Sequence, residues 1–242
     1  MSAAFDLGQY AEEVGAFAEL AESFVDATSA LRLSEVAREL QGFVAAGNPV
    51  IDWQTRQNIV FRHSNLYDGP GKHHRDTSLE LGFECRFERP ARTKKKCKVW
   101  NIGRVATHLT LKKEERRLSC HFDYKNAGQW GPQIHFQVKE TEENGFLPIP
   151  RIASLSFLPT DCADLGLAEL HPEAWRKLQS SGAMSHHTAI VRAAQEQRSL
   201  VYLADIAKQW NDDKKATRIC MLQDYTSNVR SLPDRHGREA RL

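Results

Sequence analysis

Three observations assign this 242-residue chain to the α+β class, as an antiparallel β-meander of four or five strands packed on N-terminal and C-terminal helices. Before residue 47 and after residue 160, apolar residues recur at intervals of three and four, the period of a helix with one buried face. Between residues 79 and 139 they recur at intervals of two, the period of a strand with one buried face. The order of helices, then strands, then helices is that of an α+β domain.

The first segment, Phe5 to Ala46, carries eight acidic residues against Arg32 and Arg38. Val14, Phe17, Ala18, Ala21, Phe24 and Val25, then Leu33, Val36, Ala37, Leu40 and Phe43, mark two amphipathic helices. Ser34 is the expected N-cap of the second, and Gly47-Asn48-Pro49 its end. Trp53 to Asp76 follows neither period; Asp68-Gly69-Pro70-Gly71 reads as a turn, with His63, His73 and His74 around it.

Leu79, Leu81, Phe83, Cys85 and Phe87 then alternate with Glu80, Gly82, Glu84, Arg86 and Glu88. Pro90 to Lys96 reads as an exposed connection to a long strand from Lys98 to Leu111. There Val99, Val105, Leu109 and Leu111 share one side, and Lys98, Trp100, Arg104, His108 and Thr110 the other. Leu118, Cys120, Phe122 and Tyr124 alternate with Arg117, Ser119, His121 and Asp123; after the turn residues Asn126 to Pro132, Ile134, Phe136 and Val138 alternate with His135, Gln137 and Lys139. The prolines of LPIPRIASLSFLP confine that stretch to an edge strand or extended connection. Helical periodicity resumes at Asp161 and runs to about Ser180, interrupted at His171-Pro172, where the proline begins a second helix, and Ala183 to Trp210 is a third helical stretch. The expected division is an acidic helical segment (1–50), a sheet region (51–160), a helical region (161–228) and a basic tail (229–242), within one compact domain.

The composition, 41% hydrophobic and 26% charged, is that of a folded globular chain, neither disordered nor collagenous. No stretch reaches the roughly 20 apolar residues of a membrane span, and MSAAFDLGQYAEEV has no export-signal pattern, so a cytoplasmic protein without membrane contact is expected. Five scattered cysteines without a CxxC pair read as buried thiols in a reducing compartment. GxGxxG, GxxxxGK[ST] and GxSxG are all missing, which disfavours dinucleotide binding, P-loop hydrolysis and the α/β-hydrolase mechanism.

Strand parity carries the functional reading. If the apolar positions face the helices, the other face of the sheet is dense in ionisable groups. On it His121 and Asp123 lie two apart, with His135 and Gln137 on the adjoining strand within reach. His121, Asp123 and His135 are therefore the candidate catalytic residues, able to ligate a divalent transition metal or to act as a histidine base steadied by a carboxylate. His73-His74 and His186-His187 are weaker clusters, the latter because adjacent helical side chains diverge by about 100°.

Charge is segregated. Residues 86–117 carry twelve basic and three acidic side chains, whereas the first 46 residues are negative by six. Arg92, Lys94, Lys95, Lys96, Lys98 and Arg104 would hold phosphates, while Trp100, with Trp130, would stack bases. The same asymmetry suits docking to another protein subunit or self-association.

The run His121-Phe122-Asp123-Tyr124, then Gly131-Pro132-Gln133-Ile134-His135-Phe136-Gln137, then Leu147-Pro148-Ile149-Pro150-Arg151 before a helical C-terminus resembles an uncharacterised bacterial domain family encoded beside ATPases or nucleases in mobile and phage-defence regions. The resemblance covers residues 115–180 and carries no known catalytic residue across. It implies a bacterial origin and an accessory role in a multi-protein anti-phage system.

Segregated charge without a catalytic motif points first to a non-enzymatic binding subunit that engages nucleic acid or an acidic protein partner. The rival reading is a metal-dependent or histidine-based hydrolase or nuclease of phosphodiesters built on His121, Asp123 and His135. A third is a structural oligomer. No cofactor is expected, a divalent metal being the one group the histidine patch could hold.

Overall fold

Asp6 opens the first helix, α1 (Leu7–Ala21): its Oδ1 accepts from the N–H groups of Gly8 (2.9 Å) and Gln9 (3.1 Å), donors that a helix start leaves unpaired. Asp26 does the same for α2 (Ala27–Ala46) through the N–H of Ser29 at 2.6 Å. The cap expected at Ser34 is thus corrected. No breaker stands between Asp26 and Ser34, so the helix runs through that serine. Gly47 ends α2 in the left-handed region (φ 72°), as its lack of a Cβ allows.

The computed structural model describes residues 4–63, 76–90, 99–125, 134–138, 152–154 and 157–210. Among these, eight strands form one antiparallel sheet: β1 (Ala4–Asp6), β2 (Val50–Gln54), β3 (Ile59–Phe61), β4 (Ser78–Glu88), β5 (Val99–Lys113), β6 (Arg116–Lys125), β7 (Ile134–Val138) and β8 (Ile152–Ala153). Their order is β2-β4-β5-β6-β7-β8, with β1 paired to β5 and β3 to β4. The expected meander is β4 to β7, with β8 at its edge. β1, β2 and β3 come in addition: β1 and β3 have only three residues each, and in β2, where Ile51 and Trp53 alternate inward, the exposed apolar Val50 hides the period of two.

Three further helices complete the α+β fold: α3 (Pro159–Leu170), α4 (Pro172–Gln179) and α5 (Ser185–Trp210). A single hydrophobic core joins the helices to one face of the sheet, through Tyr10, Phe17, Leu40, Trp53, Phe87, Tyr124, Leu167 and Trp175 among others. The Trp53 ring packs on Phe83 (4.3 Å between centroids), and its Nε1–H donates to the Val36 carbonyl at 3.0 Å, tying β2 to α2. At Gly166 of α3 a Cβ would fall 2.3 Å from Leu79 Cδ2 of β4, so the absence of a side chain lets the helix lie against the sheet. Leu118, expected on the apolar side, is 40% exposed beside the β5–β6 turn, where Glu114 adopts φ 53°.

The long strand β5 breaks the simple alternation. Arg86 pairs with Arg104 but Phe87 pairs with Ile102, so Gly103 is an extra residue, a β-bulge. Beyond the bulge the inward positions are odd (Val105, Thr107, Leu109); before it they are even (Trp100, Ile102). Trp100 accordingly lies in the core at 3% exposure, with the Arg89 guanidinium 4.8 Å from its ring centroid. The expectation of an exposed base-stacking Trp100 is overturned by this one-residue insertion, which turns the side chains upstream of it to the opposite face.

No helix among the described residues is long and apolar enough to cross a membrane.

Candidate metal centre

The polar face of the sheet is organised in cross-strand rows. One row runs Gly82, His108, His121, Gln137; the next runs Glu84, Ala106, Asp123, His135, Ala153. Antiparallel pairing places directly opposed side chains about 5 Å apart at Cβ, so Asp123 and His135 face each other across β6 and β7. His121 joins them because it precedes Asp123 by two residues on the same strand.

The three side chains converge. Asp123 Oδ2 lies 3.4 Å from His121 Nε2 and 4.0 Å from His135 Nε2, and one donor atom from each residue lies within 4.8 Å of the others. Donors on a tetrahedral zinc with bonds of about 2.1 Å stand roughly 3.4 Å apart, so a modest rotation of one imidazole would bring all three onto one ion. Asp123 Oδ1 and His121 Nδ1 are buried without a hydrogen-bond partner among the described residues, an arrangement that disfavours an empty, purely structural patch. His135 is fully buried, whereas the His121 and Asp123 side chains remain 16% and 21% exposed. The site therefore has a closed wall on β7 and an open side on β6. His108 lies beside it, its ring tilted 57° and centred 6.0 Å from the His121 ring, on the face where strand parity placed it.

Around this centre Arg86, Arg104 and Lys112 are paired with carboxylates. Arg86 contacts Glu88 (2.8 Å) and Asp52 (3.2 Å), Lys112 contacts Glu80, and Arg104 contacts Glu84 at 3.4 Å. Arg86 and Arg104 are direct cross-strand partners, a repulsive placement that their separate carboxylates relieve. Of the expected nucleic-acid contacts, Arg104 is exposed on this face and Trp100 is in the core. Arg92, Lys94, Lys95, Lys96 and Lys98 lie outside the described residues, as do Trp130, His73 and His74. His186 and His187 begin α5 with rings 5.7 Å apart, and neither joins a metal-ligating group among the described residues.

Among the described residues no cysteine is set for thiol chemistry. Cys85, Cys120 and Cys162 are buried, and burial pushes the Cys120 thiol up to about 11 and raises the other two well above the ordinary thiol value. An open groove between α2 and β2 has its arginines engaged, Arg32 with Asn58 and Gln57, and Arg56 with Glu39.

The candidate site missed by sequence reading is structural. Arg198 of α5 reaches Glu13 of α1 and Asp161 of α3, while Thr160 Oγ1 donates to Glu13 at 2.7 Å. These partners are up to 185 positions apart, and no periodicity could have joined them.

Comparison with family models, with curated proteins and with solved structures finds no match to this chain.

Proposed function

We propose that the chain is a metal-dependent hydrolase of phosphodiesters whose catalytic centre is His121, Asp123 and His135. The observation that carries this reading is the convergence of two imidazoles and one carboxylate on a half-open face. Structural zinc sites close the ion with four protein ligands, whereas catalytic sites use three and leave a position for water or substrate. A divalent ion there would lower the pKa of its bound water towards neutrality and polarise a phosphoryl oxygen.

The protein's own groups divide the remaining work. His135, rigid in the core side of the site, fixes the position of the centre. Asp123 supplies negative charge to a cation and orients the imidazoles on either side of it. His121, on the exposed side, stands at the mouth where a substrate enters. The basic segment 86–117 favours a polyanionic substrate over a neutral one.

Two measurements test the proposal. Purified protein should bind zinc, manganese or cobalt one to one by calorimetry, with affinity falling by at least about a hundredfold in Asp123→Ala and His121→Ala. The metal-loaded chain should hydrolyse bis(p-nitrophenyl) phosphate, and both variants should lose that activity. Wild-type protein that binds no divalent metal, or variants that bind it unchanged, would refute this assignment.

A further inference from the structure

Among the ion-paired cations on the polar face whose side chains are described, Arg104 differs from the others in two ways. Arg86 is held by two carboxylates at 2.8 and 3.2 Å, and Lys112 is half-buried against Glu80. Arg104 is 59% exposed and keeps a single contact to Glu84 at 3.4 Å, longer than the 2.7 to 2.9 Å typical of a charge-assisted hydrogen bond. It is the most loosely held of the three.

Its position is also distinctive. Ala106 is the cross-strand partner of Asp123, and Arg104 lies two residues from Ala106 on the same face, beyond the bulge. With strands about 4.8 Å apart and a rise of about 3.4 Å per residue, the Arg104 and Asp123 Cα atoms stand roughly 8 Å apart on the diagonal. Ala106, between them, carries only a methyl group. In the structure the guanidinium leans the other way, to Glu84 on β4, and a change of rotamer would turn it across the methyl group of Ala106 towards β6 and the mouth of the metal centre.

We propose that Arg104 anchors the anionic oxygen of a substrate held at the His121, Asp123, His135 centre, and that Glu84 is the counter-ion it exchanges for that anion. The inference rests on the metal-centre reading above and adds to it a specificity residue and a ligand class, the phosphate oxyanion. Electrostatics favours it: two neutral imidazoles and one carboxylate leave a divalent ion with one net positive charge, to which the guanidinium adds a second at short range. Planar guanidinium donors match two phosphate oxygens at once, which a single carboxylate oxygen at 3.4 Å does not.

The test uses the full chain loaded with one equivalent of cobalt(II), with inorganic phosphate as the probe and the visible cobalt spectrum as the readout. Phosphate should perturb the wild-type spectrum. Arg104→Gln should weaken phosphate by about tenfold, Glu84→Gln should tighten it, and imidazole, an uncharged ligand, should bind all three proteins alike. Equal phosphate affinity in wild type and Arg104→Gln overturns the inference, as does a weakening that extends equally to imidazole. Failure of the wild type to bind cobalt overturns the metal-centre reading itself, and this inference with it.

Discussion

Glu13 sits fully buried in α1, its carboxylate accepting from Arg198 and Thr160. Burial pushes it up to about 7, against the pull of the Arg198 charge, because removing a carboxylate from water costs more than one shared guanidinium returns. The folded value exceeds the unfolded one, so protonated Glu13 stabilises the fold. That contribution is complete below about 4.5 and is lost as pH rises through about 7. His171 acts in the opposite sense. Burial lowers its pKa although Nε2 bonds the Arg62 carbonyl at 3.1 Å, so its contribution is present above the unfolded value of about 6.5 and is lost on acidification. In Glu13→Gln the acid-side gain should shrink to the part that Asp161, also raised by burial, retains; urea denaturation across pH 5 to 8 measures it. Residue types alone made His121, Asp123 and His135 candidates, but the same letters could not show that His135 is fully buried while its two neighbours are reached by solvent.

At the scale of elements, parity predicted the alternation of β4 and most of β6 and β7, with two departures: Leu118 at the end of β6 is exposed, and His135, on the polar face of β7, is fully buried. It failed at β5 through a single glycine. Gly103 is invisible to a count of alternating residues, yet it turns Trp100 and Ile102 into the core. Deleting Gly103 should rotate those two apolar side chains towards water and expose them; tryptophan fluorescence and solubility would report it, and an unchanged spectrum would contradict the bulge. Close packing of α3 on β4 depends on another glycine. Gly166→Ala should cost about 1 to 3 kcal/mol by overpacking against Leu79, and Leu79→Ala in the same chain should recover part of the loss. A double-mutant cycle in urea checks the coupling.

Contacts between the first and last described helices hold the described fold together. Arg198 joins α5 to α1 and α3 by engaging Glu13 and Asp161, and its guanidinium lies 5.5 Å from the Tyr10 ring centroid. Arg198→Met would strand two buried carboxylates and should destabilise the fold by about 3 to 5 kcal/mol. Adding Glu13→Leu and Asp161→Leu should restore most of it, since a packed apolar triad of similar volume needs no desolvated charge. Equal stability of wild type and the single variant would show the cluster to be inert. Bound metal offers a second test at this scale: ligand at a hundred times its Kd should raise stability by about 2.7 kcal/mol, seen as a higher Tm that Asp123→Ala abolishes.

By itself the sequence determined the fold class, the order of helices and strands, and which residues of the regular strands share a face. Those follow from local stereochemistry, since 3.6 residues per helical turn and two per strand repeat are properties of the chain within a few neighbours. Tertiary structure alone decided that Asp123 stands opposite His135, that Trp100 turns inward, and that Arg198 meets Glu13. Each of these depends on the pairing of segments remote in sequence, and register, bulges and buried charge are settled only when those segments compete for the same core.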